Sequence, residues 1–164
     1  MQNSLFEILQ PNTCTSAGIT PMQCYVQCGD NLELLKSQPN ESVNMIYCDI
    51  LYGTGRNFGE YQDLKPLQSE IDNHYLPRLI EMKRVLKQNG CIYLQMDTRI
   101  NHWVRCLMDD VFGYENFQNE IIWSYRSGGG NKKRFKRNHD VILFYDVLDH
   151  VKNESFLSVL QKCK

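Results

Sequence analysis

A carboxylate and an aromatic ring stand three residues apart in Asp49-Ile50-Leu51-Tyr52, directly after the apolar run Val43–Cys48. This run predicts a buried strand, and open α/β sheets build their sites at the carboxyl ends of such strands. Asp49 would supply a fixed hydrogen-bond acceptor and Tyr52 a flat face for stacking, which suits a planar substrate carrying an amine. The alternative is that Asp49 caps a turn, Tyr52 packs in the core and the glycines that follow only shape a loop.

A second candidate site is a basic segment that contains no acidic residue, although the net charge of the chain is −1. Its cations adjoin Trp123, Tyr125 and Phe135. Cations interleaved with aromatic rings are typical of surfaces that bind phosphates and stack on exposed bases, whereas the alternative is an ordinary solvated surface. The cations of this segment are Arg126, Lys132, Lys133, Arg134, Lys136 and Arg137.

The composition predicts a globular chain of ordinary domain size. Of its 164 residues, 42% are apolar and 23% are charged, and no apolar run approaches the length of a membrane span. The first residues lack the basic start and apolar block of a secretion signal, so we expect a cytoplasmic protein without a membrane partner. We expect residues 1–146 to form one incomplete catalytic subdomain and residues 147–164 to form a tail.

The seven cysteines are odd in number and scattered, and several lie in apolar runs, which predicts reduced thiols. Cys24 and Cys28 are spaced like a possible metal pair. Since no second Cys or Cys/His pair with zinc-ligand spacing accompanies them, we predict no metal site.

Strands alternate with helices along the sequence. One helix follows Asp30 and contains Leu32, Leu34 and Leu35; another covers Asn73–Lys87, with Pro77 in its first turn; a third carries Ile100 to Val111 on one face. The predicted strands are Gln23–Gln27, Val43–Cys48, Cys91–Met96, Glu120–Tyr125 and Asp140–Tyr145. This order implies an α/β fold whose sheet is mostly parallel with an antiparallel hairpin at one edge.

Five stretches occur in an order that resembles one known family. They are Cys28-Gly29-Asp30-Asn31-Leu32-Glu33, Ile46-Tyr47-Cys48-Asp49-Ile50-Leu51-Tyr52, Val85-Leu86-Lys87, Gly90-Cys91-Ile92-Tyr93-Leu94, and Glu120-Ile121-Ile122-Trp123-Ser124-Tyr125 with Phe135 and His139 beyond it. Together, over residues 22–146, they resemble the amino-mutating DNA methyltransferases, the adenine-N6 and cytosine-N4 enzymes whose catalytic motif precedes their cofactor motif. The resemblance implies a partial Rossmann-like sheet.

The resemblance also implies a reaction at a base flipped out of double-stranded DNA. Tyr52 would stack on the base, and the Asp49 carboxylate and the Ile50 carbonyl would accept both N–H groups of its amine. The methyl donor would be S-adenosylmethionine, with Asp30, Asn31 and Asp49 assigned to donor binding. The implied activity is that of a site-specific DNA methyltransferase of the restriction–modification type, with adenine N6 favoured over cytosine N4 as the target.

Two departures from the family pattern limit this interpretation. Ile50 and Leu51 stand where the family has prolines, so we expect a less rigid turn. Residues 147–164 contain no glycine, and so lack the Phe-x-Gly-x-Gly-like segment of the C-terminal cofactor strands. We therefore expect a truncated or split enzyme, inactive without a second portion or chain. The alternatives are a silent DNA-binding module and a partner subunit of an active methyltransferase.

Overall fold

The structure, a computed structural model, describes residues 26–59, 61–126 and 135–147, and the chain divides into two compact units, Met1–Asp30 and Asn31–Lys164. In the first unit only residues 26–30 are described, and they form no helix or strand. The predicted strand Gln23–Gln27 therefore lies mostly outside the described residues. All the elements below belong to the second unit.

A four-stranded sheet with the order β1-β2-β4-β3 organises this second unit. β1 and β2 are parallel, and β4 is antiparallel to both of its neighbours, β2 and β3. Three strands therefore run in one direction and the β3–β4 hairpin forms one edge, which confirms the predicted mixed sheet. The strands are β1 (Val43–Asp49), β2 (Leu86–Asp97), β3 (Phe117–Ser124) and β4 (His139–Asp146).

Three helices accompany the sheet in the described part of the chain, and none of them is long and apolar enough to span a membrane. The longest begins earlier than predicted because the amides of Glu70 and Ile71 already bond to the Leu67 carbonyl. Pro77 consequently lies in the middle of this helix, not in its first turn. The helices are α1 (Asn31–Ser37), α2 (Gln68–Val85) and α3 (Asn101–Phe112), and a 3₁₀ turn (Tyr114–Asn116) follows α3.

The core lies between α2, α3 and one face of β2 and β4. Ile92, Leu94 and Met96 alternate along β2 and are at most 1% exposed, as expected of a strand in the interior of a sheet. The residues of this core from the other elements include Leu79, Met82, Val104, Met108, Leu143 and Tyr145.

β1 differs from the prediction of a strand buried on both faces. Met45 and Tyr47 are 59% and 54% exposed, while Ile46 and Cys48 are half-buried and pack against the core. β1 is an edge strand of the described sheet, with β2 as its neighbour. A continuous apolar run identifies a strand but does not reveal how many neighbours that strand has.

Candidate active site

The carboxyl end of β1 carries the predicted pair of Asp49 and Tyr52. Asp49 is the exposed last residue of β1 and lies opposite Gln95 of β2 in the parallel register. The structure brings Asp49, Ile50 and Tyr52 together around a cavity of about 300 Å³. The other residues that line this cavity are Leu51, Thr54, Phe58, Tyr61 and Asp63.

Hydrogen bonds restrain the tetrapeptide Asp49–Tyr52 at Ile50 and Leu51, the two positions where the family has prolines. The Ile50 amide donates to the Gln95 carbonyl at 3.0 Å, which extends the β1–β2 ladder by one residue, and the Ile50 side chain is 7% exposed. The Leu51 carbonyl accepts a bond of 3.2 Å from the Tyr75 hydroxyl. A proline at position 50 has no N–H and could not make the first of these bonds. Two hydrogen bonds that the sequence pattern did not reveal therefore restrain the backbone of the tetrapeptide.

The loop after Tyr52 is anchored by the buried carboxylate of Asp63, which is 4% exposed. It accepts hydrogen bonds from the Gly53 amide at 3.2 Å and the Thr54 amide at 2.7 Å, and also from the Thr54 hydroxyl. Gly53 has φ +62°, and a Cβ at this position would lie 2.4 Å from Cγ2 of Ile100. The turn beside the cavity therefore requires glycine at position 53.

Two aromatic side chains form a stacked pair at the cavity. The rings of Phe58 and Tyr61 have centroids 5.0 Å apart and an interplanar angle of 19°, and both residues are 52% exposed. The Phe58 amide donates to the Tyr61 carbonyl at 3.0 Å, which fixes the local turn. The cavity thus has exposed aromatic surface close to the exposed Asp49, a combination suited to a planar or cationic ligand.

The Tyr52 hydroxyl joins a network that sequence reasoning missed. It donates to Oδ2 of Asp140 at 3.2 Å and accepts from Nε2 of Gln95 at 3.3 Å. Tyr125 donates to Oδ1 of the same carboxylate at 3.3 Å. Burial raises the pKa of Tyr52, and the charges of Asp49 and Asp140 act in the same direction, so the hydroxyl remains a donor at neutral pH. The one signal in the sequence was that Asp140 is an acidic residue at the start of a predicted apolar strand.

The residues assigned to the donor lie in different units. Asp30 is exposed and belongs to the first unit, so its position relative to Asp49 is not described. Asn31 begins α1, and its Oδ1 accepts a bond of 2.9 Å from Nε of Arg78 in α2. That oxygen therefore serves a contact between two helices. Of the three residues, the cavity includes Asp49.

The basic segment is described only in part. Arg126, Lys136 and Arg137 are exposed at the loop end of the β3–β4 hairpin, with Trp123 60% exposed nearby in sequence. Lys132, Lys133 and Arg134 lie outside the described residues. His139 is the half-buried first residue of β4, opposite Ser124.

Within residues 26–59, 61–126 and 135–147, no group of His, Cys, Asp or Glu side chains has the arrangement of a metal site. Four of the cysteines, Cys28, Cys48, Cys91 and Cys106, are free thiols. Cys24, the predicted partner of Cys28 in a possible metal pair, lies outside the described residues.

Comparison with known proteins links this geometry to a family. The sequence model of the N6/N4 methyltransferases, described as DNA methylase, matches residues 43–155. The type II methyltransferase M.KpnI of Klebsiella pneumoniae is 30% identical over 153 residues, which cover 86% of this chain and 35% of the relative. The DNA adenine methyltransferase YhdJ of Escherichia coli K12 is 30% identical over 130 residues, which cover 78% and 42%.

A solved structure supports the same fold. The PvuII DNA methyltransferase, which is cytosine-N4-specific, superposes with a TM-score of 0.54 at 20% identity over 73% of this chain and 47% of that one. The chain thus spans less than half the length of each of these three proteins. Methyltransferases of this family act on DNA and use S-adenosylmethionine. On this match the chain belongs to the N6/N4 DNA methyltransferase family, which includes adenine and cytosine-N4 enzymes of the restriction–modification type.

Proposed function

We propose that the chain carries the amine-accepting part of a DNA methyltransferase that acts on the exocyclic nitrogen of a flipped base, with adenine N6 as the leading target. The observation that carries the proposal is the exposed Asp49 beside Tyr52 at one cavity, at the end of a strand, in a chain of this family. Relatives named as restriction–modification enzymes, such as the EcoPI Mod subunit of Escherichia phage P1, support an activity of the restriction–modification type.

The proposed roles follow from the electronic structure of the amine. Its lone pair is delocalised into the base ring, which makes the nitrogen a poor nucleophile. The Asp49 carboxylate and the Ile50 carbonyl would accept its two N–H groups, favouring a pyramidal nitrogen and stabilising the positive charge that develops during attack. Tyr52 would replace part of the stacking that the base loses when it leaves the duplex.

The residues at the cavity fit the methyl donor by their chemistry. S-adenosylmethionine supplies an electrophilic methyl group when bound, and its sulfonium is a cation. The exposed Asp49 carboxylate together with the Phe58 and Tyr61 rings suits a cation beside a planar base. We also propose that Asp30 and Asn31 contribute to binding of the donor's adenosine part, on the resemblance alone.

The DNA backbone would be bound by the basic segment of the hairpin. Arg126, Lys136 and Arg137 are exposed there, next to the exposed aromatic residues Trp123 and Phe135. This combination supports contact with phosphates and with unstacked bases. We extend the proposal to Lys132, Lys133 and Arg134 from their places in the sequence.

Target recognition and part of the donor pocket would come from additional sequence. M.KpnI aligns with this chain over 35% of its own length. We therefore propose that residues 1–146 act as a catalytic subdomain that needs a further portion, in the same polypeptide or in a second chain, and that the 164 residues alone do not methylate DNA.

An Asp49→Ala variant tests the proposed function. In the complete protein, methyl transfer from labelled S-adenosylmethionine to unmethylated plasmid DNA should fall at least ~100-fold, because one acceptor for the developing charge is lost. Affinity for DNA should remain unchanged. The matched control is Asp110→Ala, an exposed acid on α3, which should keep full activity.

Two other outcomes would reject the proposal. If wild-type protein binds DNA with a normal salt dependence but transfers no methyl group, the chain belongs to a silent DNA-binding module. If it transfers methyl groups only through a co-purified second methyltransferase and is insensitive to Asp49→Ala, it is a partner subunit.

A further inference from the structure

We propose that Asp140 is a positioning residue that holds the Tyr52 hydroxyl, and with it the axis of the ring, and links the ring to the β3–β4 hairpin. This inference rests on the proposed function, since it assigns the Tyr52 ring to stacking on the target base. Asp140 lies on β4, 88 residues from Tyr52 in sequence, and no motif of the chain points to it.

Asp140 is a buried carboxylate that accepts hydrogen bonds from three neutral side chains. It is 6% exposed and accepts bonds from the Tyr52 hydroxyl at 3.2 Å, Nε2 of Gln95 at 3.2 Å and the Tyr125 hydroxyl at 3.3 Å. Burying a carboxylate costs free energy unless hydrogen bonds within the protein replace those that it made with water. An ionised carboxylate has only acceptors, so it can serve all three donors together, whereas an amide would direct its own N–H groups at one of them.

Gln95 gives the network its direction. Its Oε1 accepts a hydrogen bond from the Tyr47 hydroxyl, which leaves Nε2 as a donor to both Tyr52 and Asp140. The Tyr52 hydroxyl thus donates one bond and accepts another, and these two bonds hold the hydroxyl and the axis of the ring in one position. A ring whose axis is held in one position before the base arrives loses less entropy on stacking.

The network also crosses the sheet. Tyr47 lies on β1, Gln95 on β2 and Asp140 on β4, and Tyr125 directly follows β3. The Tyr125 amide donates to the Asn138 carbonyl at 2.9 Å, so the hairpin pairing continues one residue beyond β3 at the same point. Asp140 therefore connects the hairpin, which carries the basic segment, to the ring beside Asp49.

A double-mutant cycle with Asp140→Asn and Tyr52→Phe tests the inference. The ligand is a duplex with a single unpaired 2-aminopurine, whose fluorescence is quenched when it stacks, compared with the same duplex fully paired. Each single change should weaken binding of the unpaired-base duplex roughly three- to tenfold, as expected for one or two hydrogen bonds. The double variant should bind no more weakly than the weaker single variant, because both changes remove the same interaction.

The fluorescence emission of 2-aminopurine, measured with all of the duplex bound to protein, distinguishes a positioning role of Asp140 from a merely structural one. With Asp140→Asn, 2-aminopurine in the bound duplex should be less quenched than with wild-type protein, which a mere loss of stability would not produce. The matched control is Asp146→Asn, a buried acid six positions further along β4, which should behave as wild type. If Asp140→Asn does not fold, Tyr52→Phe alone must reproduce the change in emission.

The outcomes distinguish the two proposals. A wild-type chain that binds the unpaired and the paired duplex equally well would contradict the proposed function and this inference with it. A wild-type chain that prefers the unpaired base, with unchanged emission in both single variants or with additive losses in the double variant, would overturn the role of Asp140 alone.

Discussion

The acidic side chains near Tyr52 differ in exposure, and this difference separates their roles. Asp63 and Asp140 are 4% and 6% exposed, and each accepts several hydrogen bonds from the protein itself. Asp49 is exposed at the same cavity. Buried carboxylates of this kind fix backbone and rings, whereas an exposed one at a cavity can accept bonds from a ligand.

Tyr145 carries a residue-scale prediction on stability. Burial raises its pKa above the usual 10.0, and its hydrogen bond to Asp109 acts in the same direction. A group whose pKa is raised by folding contributes stability below its unfolded pKa and loses it as the pH rises further. The free energy of unfolding should therefore decline above about pH 10.

Urea titrations at several alkaline pH values measure this effect. In Tyr145→Phe the decline above about pH 10 should be shallower than in wild type, because one group that ionises on unfolding is gone. The control is Tyr114→Phe, whose ring is 71% exposed and which should leave the slope unchanged. An unaltered slope in Tyr145→Phe would contradict the assignment.

At the scale of elements, the spacing of apolar residues in the sequence predicted the helices and strands that depend on local pattern. α2, α3, β2 and the β3–β4 hairpin were all predicted, since each carries its own alternation or helical spacing. The start of α2 and the exposure of β1 were not. Both depend on contacts beyond the element: the bonds to the Leu67 carbonyl in one case, and the number of strand neighbours in the other.

The β1–β2 pairing yields a prediction at Ile50. Ile50→Pro would restore the residue type that the family has, but it removes the amide that bonds to the Gln95 carbonyl and a side chain that is 7% exposed. We expect the free energy of unfolding to fall by roughly 1–3 kcal/mol, because the Gln95 carbonyl loses its donor. Urea unfolding measures it, with Ile50→Val as the control that keeps the amide. A proline variant as stable as wild type would show that the bond is dispensable.

At the scale of the whole molecule, the candidate site is assembled by strand order. Asp49, Gln95 and Asp140 meet because β2 lies between β1 and β4 in the sheet, and β4 comes last in sequence among these strands. No spacing in the sequence encodes this register. The tetrapeptide and the hairpin could therefore be predicted separately, but the network that joins them could not.

The charge distribution of the molecule yields a prediction on DNA binding. Arg126, Lys136 and Arg137 are exposed at the loop end of the β3–β4 hairpin. The net charge of the whole chain is −1. If each of these cations neutralises one phosphate, replacing any one of them by Ala should reduce the slope of log affinity against log salt concentration by about 1. Fluorescence anisotropy at several salt concentrations measures the slope. Lys36→Ala, an exposed cation on α1, serves as the control, and equal slopes in all variants would place DNA elsewhere.

The central claim is that Asp49 and Tyr52 receive an exocyclic amine, and analysis of the product tests it most directly. The complete protein is incubated with labelled S-adenosylmethionine and unmethylated plasmid DNA. The DNA is then digested to nucleosides, which are separated by chromatography and identified by mass spectrometry. We predict methyl label on an amino nitrogen, adenine N6 first and cytosine N4 otherwise, and its loss in Asp49→Asn while DNA binding persists. Label on a ring carbon of cytosine, or amino methylation at the wild-type level in Asp49→Asn, would contradict the account.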